Sequence, residues 1–248
     1  MNLEYITCSD MREYNSIDDI IAVGKRWPMA EFAIQAHPSK FSAHMPRNEW
    51  FLTLIEKCMT NDVNLAMHIN SQWRTMICRG KIPSEITDIL NLRRDNGKPI
   101  IGRVQINING GDEKYHFYAK KVAGMICEYP EIEFIFQYAP TQRRRIRTLD
   151  KTGVPFSLLY DASGGRGIMP DSWFGPVMGN HKMGYSGGLS PENIADNLDK
   201  ICAVLPYNYK TWIDAEGKLK DPNTKQFDIE RAEQYIRNAY WWNSKVRH

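Results

Sequence analysis

The sequence predicts an α/β fold, a single-domain (βα)8 TIM barrel spanning residues 1–248. Three observations carry this. Eight short runs rich in β-branched and aromatic residues alternate with longer amphipathic ones. Several of the short runs are continuously apolar, as strands covered on both faces must be. The length of 248 residues also suits one such barrel, which typically takes about 250 residues.

In chain order, the first strand candidate is Leu3–Cys8 (LEYITC), followed by a helix over Ser16–Arg26. Ser16 can cap its first-turn amides, and Ile17, Ile20 and Ile21 share one face. Glu31–Ala36 (EFAIQA) precedes a helix over Asn48–Met59 that carries Trp50, Leu52, Leu54 and Ile55. Val63–Ile69 (VNLAMHI) precedes Ser84–Arg94, with Ile86, Ile89, Leu90 and Leu92. Ile101–Asn107 (IGRVQIN) precedes Tyr115–Glu128, whose apolar residues are Phe117, Tyr118, Val122, Met125 and Ile126. Ile132–Gln137 (IEFIFQ), Pro155–Asp161 (PFSLLYD) and Lys182–Ser186 (KMGYS) follow as strands. Ser190 then caps a helix through Leu205, with Pro191 at its first position. Tyr209–Asp214 (YKTWID) is the eighth strand, and Asp228 caps a helix through Ala239. Strands separated by helices pair in parallel, because a tight hairpin cannot reach a parallel partner. An open doubly wound sheet is the alternative, but no G-x-G-x-x-G opens the first helix.

Composition narrows the function classes. Hydrophobic residues make up 42% and charged residues 25%, which excludes disorder, collagen and coiled coil. The net charge of +3 is too small to imply a polyanion partner. Five cysteines (Cys8, Cys58, Cys78, Cys127, Cys202) without a C-x-x-C pair suggest reduced thiols and a cytoplasmic location. The opening MNLEYITCSDMREYN lacks a basic segment before an apolar one, so no signal peptide is expected. No apolar stretch approaches eighteen residues, so no membrane span is expected.

In a barrel of this kind the reactive residues lie at the carboxyl ends of strands and in the loops beyond. That rule selects Cys8-Ser9-Asp10, Gln35 and His37, His68 and Asn70, Gln105 and Asn107, Gln137, Asp161, Asp214 and Glu216. Polar groups ending apolar strands are costly to bury alone, so so many at corresponding positions indicate a site. Glycines add to it. Gly164, Gly165 and Gly167 follow strand six, and Gly187-Gly188 join strand seven to a capped helix. Glycine lets backbone amides approach an anion closely, and a helix N-terminus favours negative charge. We therefore expect phosphate at Gly187 and Gly188 and a loop closing over it at Gly164–Gly167. Sharp turns would demand the same glycines.

The runs YSGGLSPENI and LLYDASGGRG resemble the late-strand motifs of the phosphoribosylanthranilate isomerase family, G-G-L-x-P-E-N-V and L-L-D followed by G-G-x-G. The opening YITCSDMREYNSIDDIIAVGKRWPMAEFAIQAHPSKFS is similar to the family's K-I-C-G strand, first helix and second strand. Val104-Gln105-Ile106-Asn107 resembles its V-Q-L-H, and Glu216-Gly217-Lys218-Leu219-Lys220-Asp221 its E…G-x-K-D stretch. The resemblance touches most of the chain in patches. It implies an Amadori rearrangement of an aminoaldose phosphate to an aminoketose phosphate, without a cofactor. By the same resemblance Cys8 is the general base and Asp161 the general acid, and Arg47 grips the substrate's arylcarboxylate, with Lys40 as its competitor. A thiolate can accept a carbon proton and a carboxyl can protonate a leaving oxygen. A buried small hydrophobe and a loop hydrogen bond are the plainer roles for Cys8 and Asp161.

Departures from the family pattern accompany these matches. Ser9 stands where the family has glycine, and Thr211-Trp212-Ile213-Asp214-Ala215-Glu216 lacks the serine-glycine pair expected beside phosphate. Asp214 and Glu216 would repel an anion or hold a sugar hydroxyl, so the substrate need not be phosphoribosylanthranilate. The alternatives are a non-catalytic barrel that binds a phosphorylated nucleotide or sugar, and a lyase or isomerase acting on another phosphosugar. His37, His44 and His68 show no metal-ligand spacing, so no metal is expected. Arg143-Arg144-Arg145-Ile146-Arg147 fits a solvated outer helix better than a nucleic-acid surface. Tyr240-Trp241-Trp242 suits packing on an outer helix or on a second copy in a homo-oligomer.

Overall fold

Eight parallel strands hydrogen-bond in chain order and close on themselves, the eighth pairing with the first. They are β1 (Asn2–Ser9), β2 (Ala30–Ala36), β3 (Asn64–Ile69), β4 (Ile101–Ile106), β5 (Glu133–Tyr138), β6 (Ser157–Tyr160), β7 (Met183–Ser186) and β8 (Lys210–Ala215). Each coincides with an expected run, its ends moved by two residues or fewer. The structure, a computed structural model, describes residues 1–38, 49–108 and 116–246.

The helices of the described residues surround the barrel. They are α1 (Ile17–Arg26), α2 (Glu49–Thr60), α3 (Ser71–Cys78), α4 (Ser84–Leu90), α5 (Ala119–Cys127), α6 (Arg143–Asp150), α7 (Ile194–Val204) and α8 (Ile229–Val246). Ser16 accepts from the Asp19 amide at 3.2 Å, and Asp228 accepts from Glu230 and Arg231, so both expected caps form. The expected helix start at Ser190 is displaced. Asn193 Oδ1 accepts from the Ser190 amide at 2.9 Å, a turn forms, and α7 begins only at Ile194. Helix α8 runs seven residues beyond its expected end at Ala239. No described helix is long and apolar enough to cross a membrane.

Side chains alternate across each strand, and the two faces have different chemistry. Outward residues such as Ile6, Phe32, Val104, Phe134 and Ile213 pack with the helices in one large apolar layer. The inward face carries charge where barrels of this class usually stack branched aliphatics. Arg103 lies between the rings of Tyr5 and Trp212, 4.5 and 4.4 Å from their centroids. It bonds Glu31 at 2.8 Å and approaches Glu133 at 3.3 Å. Gly184 makes room for this arrangement, since a Cβ there would lie 2.1 Å from the Trp212 ring.

The outer motifs have structural places. On α6, Arg145 is buried while Arg143, Arg144 and Arg147 are exposed. Near the end of α8, Trp242 is buried and donates to Asp199 at 2.7 Å, and Tyr240 packs edge-on against Trp27. Trp241 is exposed.

Candidate active site

The strand ends open into a cavity of about 140 Å³ at the carboxyl end of the barrel. His68, Gln105, Gln137, Asp161, Asp214 and Ser186 reach it from the strands. Asn107, Gly165, Gly167, Gly187, Gly188 and Glu216 line it from the segments beyond, with Arg166 and Lys218. Most of the expected residues are thus brought together. Gln35 and Asn70 stand beside the cavity in a hydrogen-bonded row along its rim. Arg47, its competitor Lys40, and His44 lie outside the described residues.

Cys8 requires a correction. Across the seam between β1 and β8, Thr7 pairs with Asp214 and Cys8 with Ala215. Thr7 donates to Glu31 and Ser9 donates to Asp214, both at 2.7 Å, so these two side chains point into the barrel. Cys8, between them, points out, and its charge would bear on Tyr235 of α8. It is fully buried in the apolar layer. Burial pushes its thiol well above the ordinary range, and the charges of Asp214 and Glu31 push it further. A thiolate is disfavoured there, and Cys8 is not among the residues that line the cavity. The inward residue at the end of β1 is Ser9.

Asp161 does face the cavity, but its carboxylate is heavily engaged. Gln137 Nε2 donates to it at 2.7 Å, the Ser163 amide at 3.0 Å, Ser163 Oγ at 2.8 Å and the Gly165 amide at 2.6 Å. The segment expected to close as a loop is therefore tied back onto the end of β6. Arg166 reinforces it by donating to the Ser163 carbonyl at 2.8 Å.

The glycines after β7 are required by the backbone. Gly187 has φ +116° and Gly188 φ +67°. Added Cβ atoms would lie 2.9 Å from the Ile168 carbonyl and 2.8 Å from the Met169 amide, respectively. The pair lets the β6 and β7 loops cross closely while still lining the cavity. The Ser190 amide, however, is already occupied by Asn193, so the anticipated helix-end anion site is incomplete.

Asp214 holds the centre. Burial pushes its carboxyl up to about 6, with the Asp161 charge adding to the rise, although Ser9, Arg103 and Gln105 pull it down. His68 Nε2 lies 3.9 Å from Asp214 Oδ2, and burial drives the imidazole down to about 4, leaving it neutral near pH 7. Two residues on, Glu216 accepts from Gln35 at 2.9 Å. Crowding by protein, then the Asp10 charge, push Glu216 up to about 7. Its side chain remains open to solvent at the rim, and water there damps the effect. Asp10 itself is held by Arg12 at 2.9 Å and Lys220 at 2.6 Å. The result is a buried carboxyl raised toward neutrality beside a neutral imidazole, with a second, more weakly raised carboxyl at the rim, an arrangement suited to moving protons. No cluster of three or more potential metal ligands occurs among the described residues.

Sequence reasoning placed Ser9 among the strand-end residues without giving it a role, and passed over Arg166 and Lys218 as site residues. For Ser9 a signal was available: Thr7 and Ser9 are the polar partners of Ile6 and Cys8 in a period-two pattern.

No protein-family model matches the chain. No curated protein matches it either. Solved structures do. The fold is similar to that of phosphoribosylanthranilate isomerase from Thermotoga maritima, with a TM-score of 0.58, 16% identity and coverage of 96% of this chain and 100% of that one. Monomers generated from the dimeric phosphoribosylanthranilate isomerase of the same organism give 0.55 and 13%, with coverage of 96% and 100%. At these identities the likeness is one of fold.

Proposed function

We propose that this protein is an isomerase of a compact sugar phosphate, an aldose or aminoaldose phosphate, that uses Asp214 and Glu216 as its proton-transfer pair. The observation that carries the proposal is Asp214, buried at the cavity floor, oriented by Ser9 and raised toward neutrality. Fold similarity to phosphoribosylanthranilate isomerases supports the reaction class. The outward Cys8 argues for a different pair of groups from the one the family resemblance implies.

Such an isomerisation needs little more than a base and an acid. Asp214 takes the proton from C2, the C–H electron pair forms the C1–C2 double bond, and the carbonyl oxygen or imine nitrogen on C1 takes a proton from Glu216. The C2 hydroxyl then returns its proton to Glu216, and Asp214 delivers its own to C1. Both carboxyls end as they began. Neutral His68 can donate a hydrogen bond to the developing oxyanion without carrying charge. Gly167, Gly187 and Gly188, with Arg166 and Lys218 beside them, line the side of the cavity that would take the phosphate.

No Phe, Tyr or Trp lines the cavity among the described residues. The direct test follows ribose 5-phosphate, its 1-amino derivative and phosphoribosylanthranilate by NMR. Turnover of one of the first two, reduced at least 100-fold in Asp214→Asn, supports isomerisation. A second reading, a barrel that binds without catalysis, is favoured by the loss of Cys8 from the site and the occupied Asp161 carboxylate. A higher melting temperature with ribose 5-phosphate but no turnover would select it.

A further inference from the structure

Asp161 Oδ1 accepts from the Ser163 amide at 3.0 Å and from Ser163 Oγ at 2.8 Å. Its Oδ2 accepts from Gln137 Nε2 at 2.7 Å and from the Gly165 amide at 2.6 Å. A carboxylate offers about four acceptor sites in all, and here each oxygen already holds two donors. The group has no capacity left for a ligand.

That saturation fixes the neighbouring amide. A carboxylate only accepts, so Gln137 must present its nitrogen, and half a turn would set oxygen against oxygen. Gln137 Oε1 is thereby turned away from Asp161. It is buried and has no hydrogen-bond partner among the described residues. The residue as a whole is 3% exposed, stands near the end of β5 and lines the cavity. Its inward neighbours on the barrel wall are Ile135, two residues earlier, and Leu159, across the β5–β6 pairing. Neither side chain carries a donor. A buried acceptor in this state costs stability until a donor reaches it.

The chemistry of that donor follows from the surroundings. A fully ionised phosphate or carboxylate has no proton to offer and would lie beside the Asp161 charge. A hydroxyl has one. The phosphate falls to the side of Gly187, Gly188, Arg166 and Lys218, and C1 and C2 fall to Asp214, Glu216 and His68. The hydroxyls on C3 and C4 are left for the β5 wall.

We propose that Gln137 Oε1 is the specificity-determining acceptor for a C3 or C4 hydroxyl of the sugar phosphate, and that Asp161 is the positioning residue that holds the Gln137 amide in its accepting orientation. The inference rests on the reading of this cavity as a sugar-phosphate site. It gives Asp161 a task that needs no proton transfer, in keeping with its four bonds.

The test measures binding of ribose 5-phosphate and its 3-deoxy and 4-deoxy analogues to the full chain by titration calorimetry. One analogue is expected to bind wild type at least about tenfold more weakly than the parent sugar. In Gln137→Met that analogue and the parent are expected to bind within about twofold of each other. Two results overturn the assignment: both analogues binding wild type as tightly as the parent, or the discrimination surviving in Gln137→Met. Should that variant fail to fold, the Gln137 side-chain carbonyl carbon of wild type decides the matter by NMR. Its resonance is expected further downfield in the parent complex than in the analogue complex, and equal positions overturn the proposal. Failure of ribose 5-phosphate to bind at all sinks the sugar-phosphate reading and this inference with it, whereas equal affinity for all three sugars sinks the Gln137 assignment alone. Discrimination without turnover sinks isomerisation and leaves that assignment supported.

Discussion

Ser9 Oγ donates to Asp214 Oδ1 at 2.7 Å, joining the first and last strands at the floor of the cavity. The bond fixes one oxygen of the carboxylate and leaves the other toward His68, 3.9 Å away. Removing it changes the acid without disturbing the barrel's apolar layer. In Ser9→Ala, the Asp214 carboxyl loses a donor that holds it down and rises above about 6. Carboxyl-carbon NMR titration is expected to show that rise, and the acidic limb of any pH–rate profile should move upward with it.

Cys8→Ser is a stability variant, not an activity variant. The hydroxyl would enter a fully buried apolar layer, where an unpaired polar group costs about 1–3 kcal/mol. For a chain of this length that lowers the melting temperature by roughly 2–12 °C. Turnover per folded molecule is expected to stay within about twofold of wild type, whereas a catalytic base would lose orders of magnitude.

The raised Asp214 carboxyl makes folding sensitive to pH. Its folded value near 6 lies above its ordinary 3.8, so the stability it contributes is complete below 3.8 and is lost as pH rises through 6. Asp214→Asn removes that loss. The variant should therefore gain on wild type between pH 4 and 7, by on the order of 3 kcal/mol. His68 works in the opposite sense: its depressed value gives stability present above 6.5 and lost as pH falls through 4. Urea melts at a series of pH values test both signs.

Asp161→Asn strikes the loop after β6. An amide at that position can accept at only one atom, so some of the four donors from Gln137, Ser163 and Gly165 lose their acceptor. Faster hydrogen exchange over residues 162–167 and a lower melting temperature are expected, because each orphaned donor costs about 1–3 kcal/mol. Unchanged exchange and stability would show that the carboxylate does not anchor the loop.

The barrel was legible because its strands announce themselves as short apolar runs between amphipathic ones, and eight of them leave few ways to close a sheet. The rim was legible for the same reason: once the strands are placed, His68, Gln105, Asp161 and Asp214 fall at their ends. Cys8 misled because family likeness outweighed the alternation of Ile6 and Cys8 with Thr7 and Ser9, and one residue of parity separates the cavity from the apolar layer. The stacking of Arg103 between Tyr5 and Trp212 joins residues up to about two hundred positions apart, which no local pattern encodes. Ser190 looked like a cap because Ser-Pro-Glu is a common helix opening, yet Asn193 competes for its amide and delays the helix.

The most direct measurement of the central claim is exchange of the C2 hydrogen of ribose 5-phosphate, or of its 1-amino derivative, in deuterated water, followed by proton NMR. Wild type and Cys8→Ser are expected to wash out that hydrogen at similar rates, while Asp214→Asn is at least 100-fold slower. Exchange that survives in Asp214→Asn but disappears in folded Cys8→Ser would contradict the assignment of proton transfer to Asp214.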